Sequence, residues 1–281
     1  MKFNNLNQRN MTRKISLLFL FGSFFFSNQI FSQEKANIKY DLSCFNKDGT
    51  STMVNDLGRL GSLVWDIAAD DLSVADEETY GDEFLADLKS KSKFINSGPH
   101  IEKVRMILKK LNANILKPRG FHYKIYLLDT NILNAFTFGG KIFITEEMFN
   151  FCKNDDEIAC ILGHEISHNE LGHISEGIKK RKLTTEYLGN SFGSIASIVG
   201  KIISTPFNQV DEAYSDMRGM DIAYAAGYNI CENQKLWKRM AENEGKYNSL
   251  MTLMSTHPYS GTRAECARNH IVKNYSIKCR D

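Results

Sequence analysis

The stretch of residues 154–173, NDDEIACILGHEISHNELGH, constrains the fold of this chain more than any other part of the sequence. Asn154 can cap a helix, and the three acidic residues after it complement the positive end of the helix dipole. Apolar side chains recur at helical spacing at Ile158, Ile161 and Leu162. The pattern predicts one long helix with an apolar face around which a core can form.

The same stretch contains the sequence H-E-x-x-H, formed by His164, Glu165 and His168. Residues four apart on a helix share a face, so the two imidazoles can hold one zinc ion. Glu165 lies beside them and can reach a water molecule whose pKa zinc lowers to about 7. Proton transfer to this carboxylate is the general-base step of peptide hydrolysis. A solvated helix face that carries two histidines is the alternative interpretation.

A catalytic zinc ion needs a third protein ligand, and His173 is the nearest further histidine. It falls one residue short of the spacing H-E-x-x-H-x-x-G-x-x-H, so we do not predict it to be a ligand. We expect it to finish the helix beside Gly172, where an imidazole can meet terminal carbonyls or a neighbouring helix.

The downstream segment VDEAYSDMRG offers a better third ligand. Glu212 and Asp216 lie four residues apart and share a helix face. We predict that Glu212 binds the zinc ion and that Asp216 orients a ligand histidine through its other ring nitrogen. Asp211 is the competing ligand, but it points about 100° away from that pair. Without H-E-x-x-H, these residues would be interpreted as a wet acidic helix face.

Three segments in order resemble the HtpX-like and CAAX-prenyl-protease-like gluzincin peptidases: GHEISHNELGH, DEAYSD followed by AAGYN, and STHPYSGTR. The segments resemble in particular the exported, non-membrane branch of that family. The resemblance covers roughly residues 75–275, with Ser215 where alanine is usual. It implies a metalloendopeptidase with one zinc ion per chain, protein or peptide substrates and a role in envelope quality control.

The segment NAFTFGGKIFIT, residues 134–145, alternates like a strand, and its central glycine pair suggests a hairpin or a close backbone approach. In the family that the chain resembles, this segment forms the strand edge beside the zinc ion. An exposed edge can pair with an extended peptide, so the resemblance implies that Asn134, Ala135, Phe136 and Gly139 bind substrate. A plain core hairpin is the alternative.

The third segment contains His257 and Arg263. His257 can stabilise the oxyanion that forms during hydrolysis, which would make it catalytic. It can also enter as a fourth zinc ligand that keeps the enzyme latent, or serve only as a loop histidine. Arg263 can anchor the loop or pair with a carboxylate near the site.

The first 32 residues differ in composition from the rest. Four basic residues and no acidic ones occur there, and the basic start is followed by ISLLFLFGSFFF. This pattern predicts a secretory signal peptide and hence export, with an uncleaved anchor as the alternative. Together with the family resemblance, it makes a bacterial periplasm, on or near a membrane, the expected setting. Without residues 1–32 the formal charge falls from +2 to −2, which leaves no basic surface for nucleic acid.

The order of a helical region, two strands and then several helices predicts an α+β, mainly helical, zincin-like fold. Its small β-sheet would border the zinc site with its edge strand. We expect an N-terminal extension over 33–75 and a metallopeptidase domain over 76–281. The apolar segment 187–204 is either a packed helix or a contact with a membrane surface or an envelope protein.

Six cysteines follow the predicted signal peptide, and an even number in an exported protein favours disulfides, with 15 possible pairings. The sequence leaves the pairing open. Cys160 could equally be a small buried apolar residue.

These features together predict a zinc-dependent metalloendopeptidase that cleaves unfolded or misassembled envelope proteins, with Glu165 as the general base. A zinc-stabilised chaperone-like or protein-binding module with latent or weak peptidase activity is the alternative. An interaction protein with a chance H-E-x-x-H is the third possibility.

Overall fold

The computed structural model of this chain describes residues 38–44, 72–187, 197, 200–201, 207–243, 257 and 260–280. The predicted signal peptide, residues 1–32, lies outside these residues, as do most of 33–75 and most of 187–204. The chain divides into two compact units, Met1–Lys39 and Tyr40–Asp281, and the elements below belong to the second.

A mixed sheet provides the framework on which the helices pack. Its strands are β1 (Phe94–Ile95), β2 (Lys124–Leu128), β3 (Ala135–Phe138) and β4 (Lys141–Thr145). Their order is β1-β2-β4-β3, with β2 parallel to β4 and the other two pairs antiparallel. Both predicted strand regions are confirmed, and β3 is an edge strand of this sheet.

The glycine pair between β3 and β4 forms the tight turn of a hairpin, and both residues have positive φ. Gly139 also packs against helix α1 (Val74–Lys91), where a Cβ atom would overlap the carbonyl group of Glu77. Both features expected of these glycines, a hairpin and a close backbone approach, are therefore present.

The described helices surround the sheet on both faces. After α1 they are α2 (Pro99–Asn112), α3 (Glu146–Phe151), α4 (Asp155–Glu170), α5 (His173–Tyr187), α6 (Gln209–Ala225), α7 (Cys231–Asn243) and α8 (Ser260–Tyr275). Helix α1 covers one sheet face with Phe84 against Phe143, while α2 and α4 cover the other. The predicted α+β, mainly helical fold is confirmed. None of the described helices is long and apolar enough to cross a membrane.

Capping explains where several helices begin. Asn154 accepts a hydrogen bond from the Glu157 amide at the start of α4, as predicted. Helix α1 begins at Val74, because Ser73 forms a capping box with the residue three positions on. The N-cap of α2 is Gly98, without a side-chain hydrogen bond.

Helices α4 and α6 cross in unusually close contact. A Cβ atom on Gly163 would lie 2.6 Å from the carbonyl oxygen of Gly219, and one on Gly219 would lie 2.6 Å from the His164 amide nitrogen. Side chains cannot fit at this crossing, so the two backbones touch. The contact brings the H-E-x-x-H turn of α4 next to the acidic turn of α6.

Two disulfides, Cys44–Cys266 and Cys231–Cys279, tie the N-terminal segment and α7 to the region of α8. Cys152 and Cys160 are free, and Cys160 is buried. The prediction of disulfides is confirmed for four of the six cysteines. Cys160 takes the other option, that of a small buried residue.

Candidate metal centre

Helix α4 presents both histidines of H-E-x-x-H to one buried point. The Nε2 atoms of His164 and His168 lie 2.9 Å apart, and both side chains are almost fully buried. This follows from the helical repeat, which stacks residues four apart on one face.

Two more donors reach this point, one from helix α6 and one from His257, which lies three residues before the start of α8. Glu212 places one carboxylate oxygen 3.3 Å from His168 Nε2, and His257 places Nδ1 3.3 Å from His164 Nε2. The four donor atoms lie within 4.8 Å of one another, and all four residues are buried. Asp211, the competing ligand, is not part of this cluster.

The geometry of these donors fits a zinc ion. Ligand atoms about 2.1 Å from a tetrahedral zinc ion are about 3.4 Å from each other. The observed separations of 2.9 Å and 3.3 Å are close to that value. Imidazole nitrogens and carboxylate oxygens are ligands that zinc prefers, and a cation between these buried donors would satisfy lone pairs that point at one another.

Asp216 and Arg263 support the first histidine. The Asp216 carboxylate lies 2.9 Å from His164 Nδ1 and accepts two hydrogen bonds of 2.7 Å from Arg263. The same guanidinium reaches Glu212 at 2.6 Å and stacks on the Trp237 ring. Arg263 therefore pairs with carboxylates, and from the first turn of α8 it also anchors the preceding segment by donating to the His257 carbonyl at 3.3 Å.

The charge of Arg263 matters because these carboxylates are fully buried. Burial opposes the ionisation of Glu212, but Arg263 and the nearby imidazoles outweigh it, so its pKa lies well below the usual range. Burial raises the pKa of Asp216, but the positive charge of Arg263 outweighs burial, so this pKa is also lowered. Both groups are held as anions, as a metal ligand and its hydrogen-bond partner must be.

Glu165 lies beside the donor cluster but does not belong to it. Its carboxylate is 3.8 Å from the outer nitrogen of His257, and its side chain is almost fully buried. Burial raises the pKa of Glu165 above that of an ordinary glutamate. A carboxyl group of this kind can accept and return a proton near neutral pH.

His173 does not finish helix α4, so that part of the expectation is wrong, but its imidazole does meet the neighbouring helix α6, at Ser215 and Asp211. Helix α4 ends at Glu170, and His173 is the first residue of α5. The chain reverses at Gly172, which has φ +77°. The ring of His173 lies outside the donor cluster, and its Nδ1 is 3.0 Å from Nδ1 of His168. Burial lowers the pKa of His173 to about 4.

Sequence reasoning also missed Asn169, which joins α4 to the edge hairpin. Its side-chain amide donates to the Thr137 hydroxyl at 2.6 Å and to the Glu165 carbonyl at 3.0 Å, and its oxygen accepts from the Gly140 amide. The sequence feature that could have revealed this role is a polar residue directly after His168, on a turn of α4 whose side chains are buried. This link sets the distance between the hairpin and the metal helix.

The predicted substrate residues lie at or next to the edge strand. Asn134 precedes β3, Ala135 and Phe136 belong to it, and Gly139 occupies the turn against α1. Asn134 and Phe136 line a cavity of about 430 Å³, which extends to Leu88 at the end of α1. The side-chain oxygen of Asn134 is buried and has no hydrogen-bond partner among the described residues.

A mainly helical domain with a small sheet, an H-E-x-x-H helix and a glutamate ligand from a later helix defines the metallopeptidases of the gluzincin type. A sequence model of Peptidase family M48 matches residues 100–271, which is more than half of the chain. The chain belongs to this family, and the resemblance seen in the sequence is confirmed.

Individual relatives agree with this assignment. The mitochondrial metalloendopeptidase OMA1 of Saccharomyces cerevisiae is 30% identical over 160 residues, which cover 52% of this chain and 46% of that protein. The beta-barrel assembly-enhancing protease of Escherichia coli K12 is 24% identical over 72% of this chain and 45% of its own length. Metalloprotease LoiP of the same bacterium is 23% identical over 76% and 88%. The chain therefore spans less than half of the first two relatives and most of the third.

Proposed function

We propose that this chain is a zinc-dependent metalloendopeptidase. The observation that carries the proposal is the convergence of His164, His168 and Glu212 on one buried point, with the Glu165 carboxylate beside it. A purely structural zinc site has no need of the extra carboxylate. Three protein ligands plus a free position are what a catalytic zinc ion requires.

Each residue has a distinct task in this proposal. His164, His168 and Glu212 hold the zinc ion, which when bound supplies a Lewis acid that polarises the scissile carbonyl and acidifies water. Glu165 takes the proton of the attacking water and passes it to the amine that leaves. Asp216 accepts the Nδ1 proton of His164 and so keeps the opposite nitrogen of that ring directed at the metal.

The edge strand β3 would bind the substrate as an added strand. Asn169 attaches the hairpin to the metal helix, so a peptide paired with Ala135 and Phe136 would run past Glu165. The unpartnered oxygen of Asn134 can accept a hydrogen bond from a substrate amide. Gly139 would contribute to substrate binding indirectly, through the turn that it forms between β3 and β4. Backbone pairing favours extended segments, so unfolded or misassembled proteins are the proposed substrates.

Export to a bacterial envelope belongs to this proposal. Disulfides persist in oxidising compartments, and the two in this chain agree with export. The match to LoiP covers 88% of a bacterial metalloprotease. Contact of residues 187–204 with a membrane surface remains a prediction, since most of that segment lies outside the described residues.

The substitution Glu165→Gln tests the proposal, because it removes the base and preserves the side-chain volume. We expect cleavage of an unfolded protein such as reduced, alkylated casein to fall at least 100-fold, while zinc content stays near one per chain. Glu102→Gln, at an exposed site on α2, is the matched control and should leave cleavage unchanged. Cleavage by the Glu165→Gln variant at the wild-type rate would refute the mechanism.

One observation favours the second candidate, a binding module with latent peptidase activity. His257 supplies a fourth donor to the cluster, and a zinc ion held by all four would have no free position. The structure is then that of a closed state, from which His257 must withdraw before a peptide can react. If wild-type protein and Glu165→Gln retained an unfolded substrate equally and neither cleaved it, this candidate would replace the first.

A further inference from the structure

The two ligand histidines of α4 have different partners on the side away from the metal. His164 has a direct carboxylate partner, Asp216. Among the residues that the structure describes, His168 has no carboxylate partner on that side: its Nδ1 lies 3.0 Å from Nδ1 of His173. Ligand histidines usually donate this second nitrogen to a carboxylate, a carbonyl or water, so an imidazole in this place requires explanation.

The position of the metal determines which tautomers are compatible with this contact. Because Nε2 of His168 faces the donor cluster, a neutral His168 ligand carries its proton on Nδ1 and donates it outward. Nδ1 of His173 must then accept with its lone pair, which leaves the proton of His173 on Nε2. That Nε2 faces the Asp211 carboxylate at 3.7 Å, so the proton points towards a negative group.

The surroundings hold the pair of rings in this arrangement. The Ser215 hydroxyl lies 3.3 Å from Nδ1 of His173 and can donate to it as well. Phe207 packs on His168 with ring centroids 4.1 Å apart and also contacts His173 at 6.1 Å, so its ring covers both imidazoles. Ser215 occupies a position at which the family that this chain resembles usually has alanine. The contact between the Ser215 hydroxyl and the His173 imidazole therefore depends on a residue that departs from the family pattern.

We propose that His173 is a positioning residue for the metal centre: its neutral imidazole accepts the Nδ1 proton of His168, and Asp211 and Ser215 orient that imidazole. The chain of contacts runs from Asp211 through His173 and His168 to the zinc ion. At His164 a carboxylate contacts the ligand histidine directly. At His168 one further imidazole ring, that of His173, lies between the ligand histidine and the carboxylate. The inference rests on the metal centre of the proposed function but not on peptide hydrolysis.

Two polar substitutions of His173 distinguish positioning from packing. The side-chain oxygen of asparagine can occupy the place of Nδ1 and accept the same proton, whereas glutamine carries its amide one bond further out. We expect His173→Gln to weaken zinc binding by about 10–100-fold and His173→Asn to keep affinity within a few-fold of wild type. Affinity is measured on the full chain by competition with a chromogenic zinc chelator.

The visible absorption spectrum of the Co²⁺-substituted protein provides a second readout, since it reports the geometry of the ligand field. We expect the spectrum to change in His173→Gln and to stay close to wild type in His173→Asn. Equal zinc affinity and equal spectra for wild type and His173→Gln would overturn the proposal, as would equal losses in the two variants. If wild-type protein binds zinc but cleaves no substrate, the proposed function fails while this comparison still gives its answer.

Discussion

At the scale of single residues, we propose that His257 controls whether the metal centre is open or closed. Its Nδ1 lies 3.2 Å from both oxygens of Glu212 and 3.3 Å from His164 Nε2, which is where a fourth ligand of a tetrahedral site would lie. We expect His257→Ala to raise the rate of casein cleavage several-fold, because three ligands retain the zinc ion and the fourth position becomes free. Zinc content and cleavage rate are measured on the same samples.

The matched control for this substitution is His122→Ala, because the His122 side chain is 85% exposed and far along the chain from the ligand residues. His122→Ala should change neither the zinc content nor the rate of casein cleavage. A fall of about 100-fold or more in His257→Ala, with zinc retained, would contradict closure and assign His257 to stabilisation of the oxyanion instead.

At the scale of helices, the crossing of α4 and α6 determines whether the ligands converge. Glu212 and the H-E-x-x-H pair are on different helices, and their spacing depends on backbone contact between Gly163 and Gly219. We expect Gly219→Ala to cost about 1–3 kcal/mol in the free energy of unfolding and to weaken zinc binding, because the added methyl group separates the helices. Urea denaturation and chelator competition measure the two effects.

Gly261→Ala provides the control for the helix propensity of alanine. Gly261 lies in helix α8, is exposed, and would have nothing within 4 Å of an added Cβ atom. This substitution should stabilise the protein by up to about 1 kcal/mol. If both alanine variants unfolded at the same urea concentration, the close crossing would not be a constraint on the fold.

At the scale of the whole molecule, the disulfides connect distant parts of the chain around α8, which carries Arg263 into the metal centre. The Cys231–Cys279 bond joins residues separated by 48 positions. We expect the double substitution of these two cysteines by alanine to lower the free energy of unfolding by about 2–4 kcal/mol, since the unfolded chain regains the freedom of a closed loop. Urea denaturation of the oxidised proteins measures the loss.

Cys152→Ala is the appropriate comparison because Cys152 is free. It removes a thiol without removing a cross-link, so its effect should be smaller than that of the double substitution. A reducing agent breaks both disulfides, so reduced wild-type protein should be less stable than the oxidised double variant, which keeps Cys44–Cys266. Identical urea midpoints for wild type and double variant would show that the cross-link contributes nothing to stability.

Several local features could be predicted because a few neighbouring residues specify them. The Asn154 cap, the helical spacing of His164 and His168 and the strand regions around the glycine pair all depend on contacts within a few residues, and all are present. The start of α2 depends instead on the backbone at Gly98, which has φ 111° and caps the helix without a side-chain hydrogen bond.

The sequence by itself therefore determined the H-E-x-x-H helix, the strands and the candidate ligand on the acidic helix, because periodicity and motif spacing act over one or two turns. Only the tertiary structure decided which donors meet. The crossing of α4 and α6 at a pair of glycines brings Glu212 to His164 and His168, and His257 joins them from a third part of the chain, three residues before α8. It also chose two disulfides among 15 pairings and placed His173 against His168. Contacts between residues far apart in the chain depend on how whole helices and strands pack together. Local sequence patterns do not specify that packing.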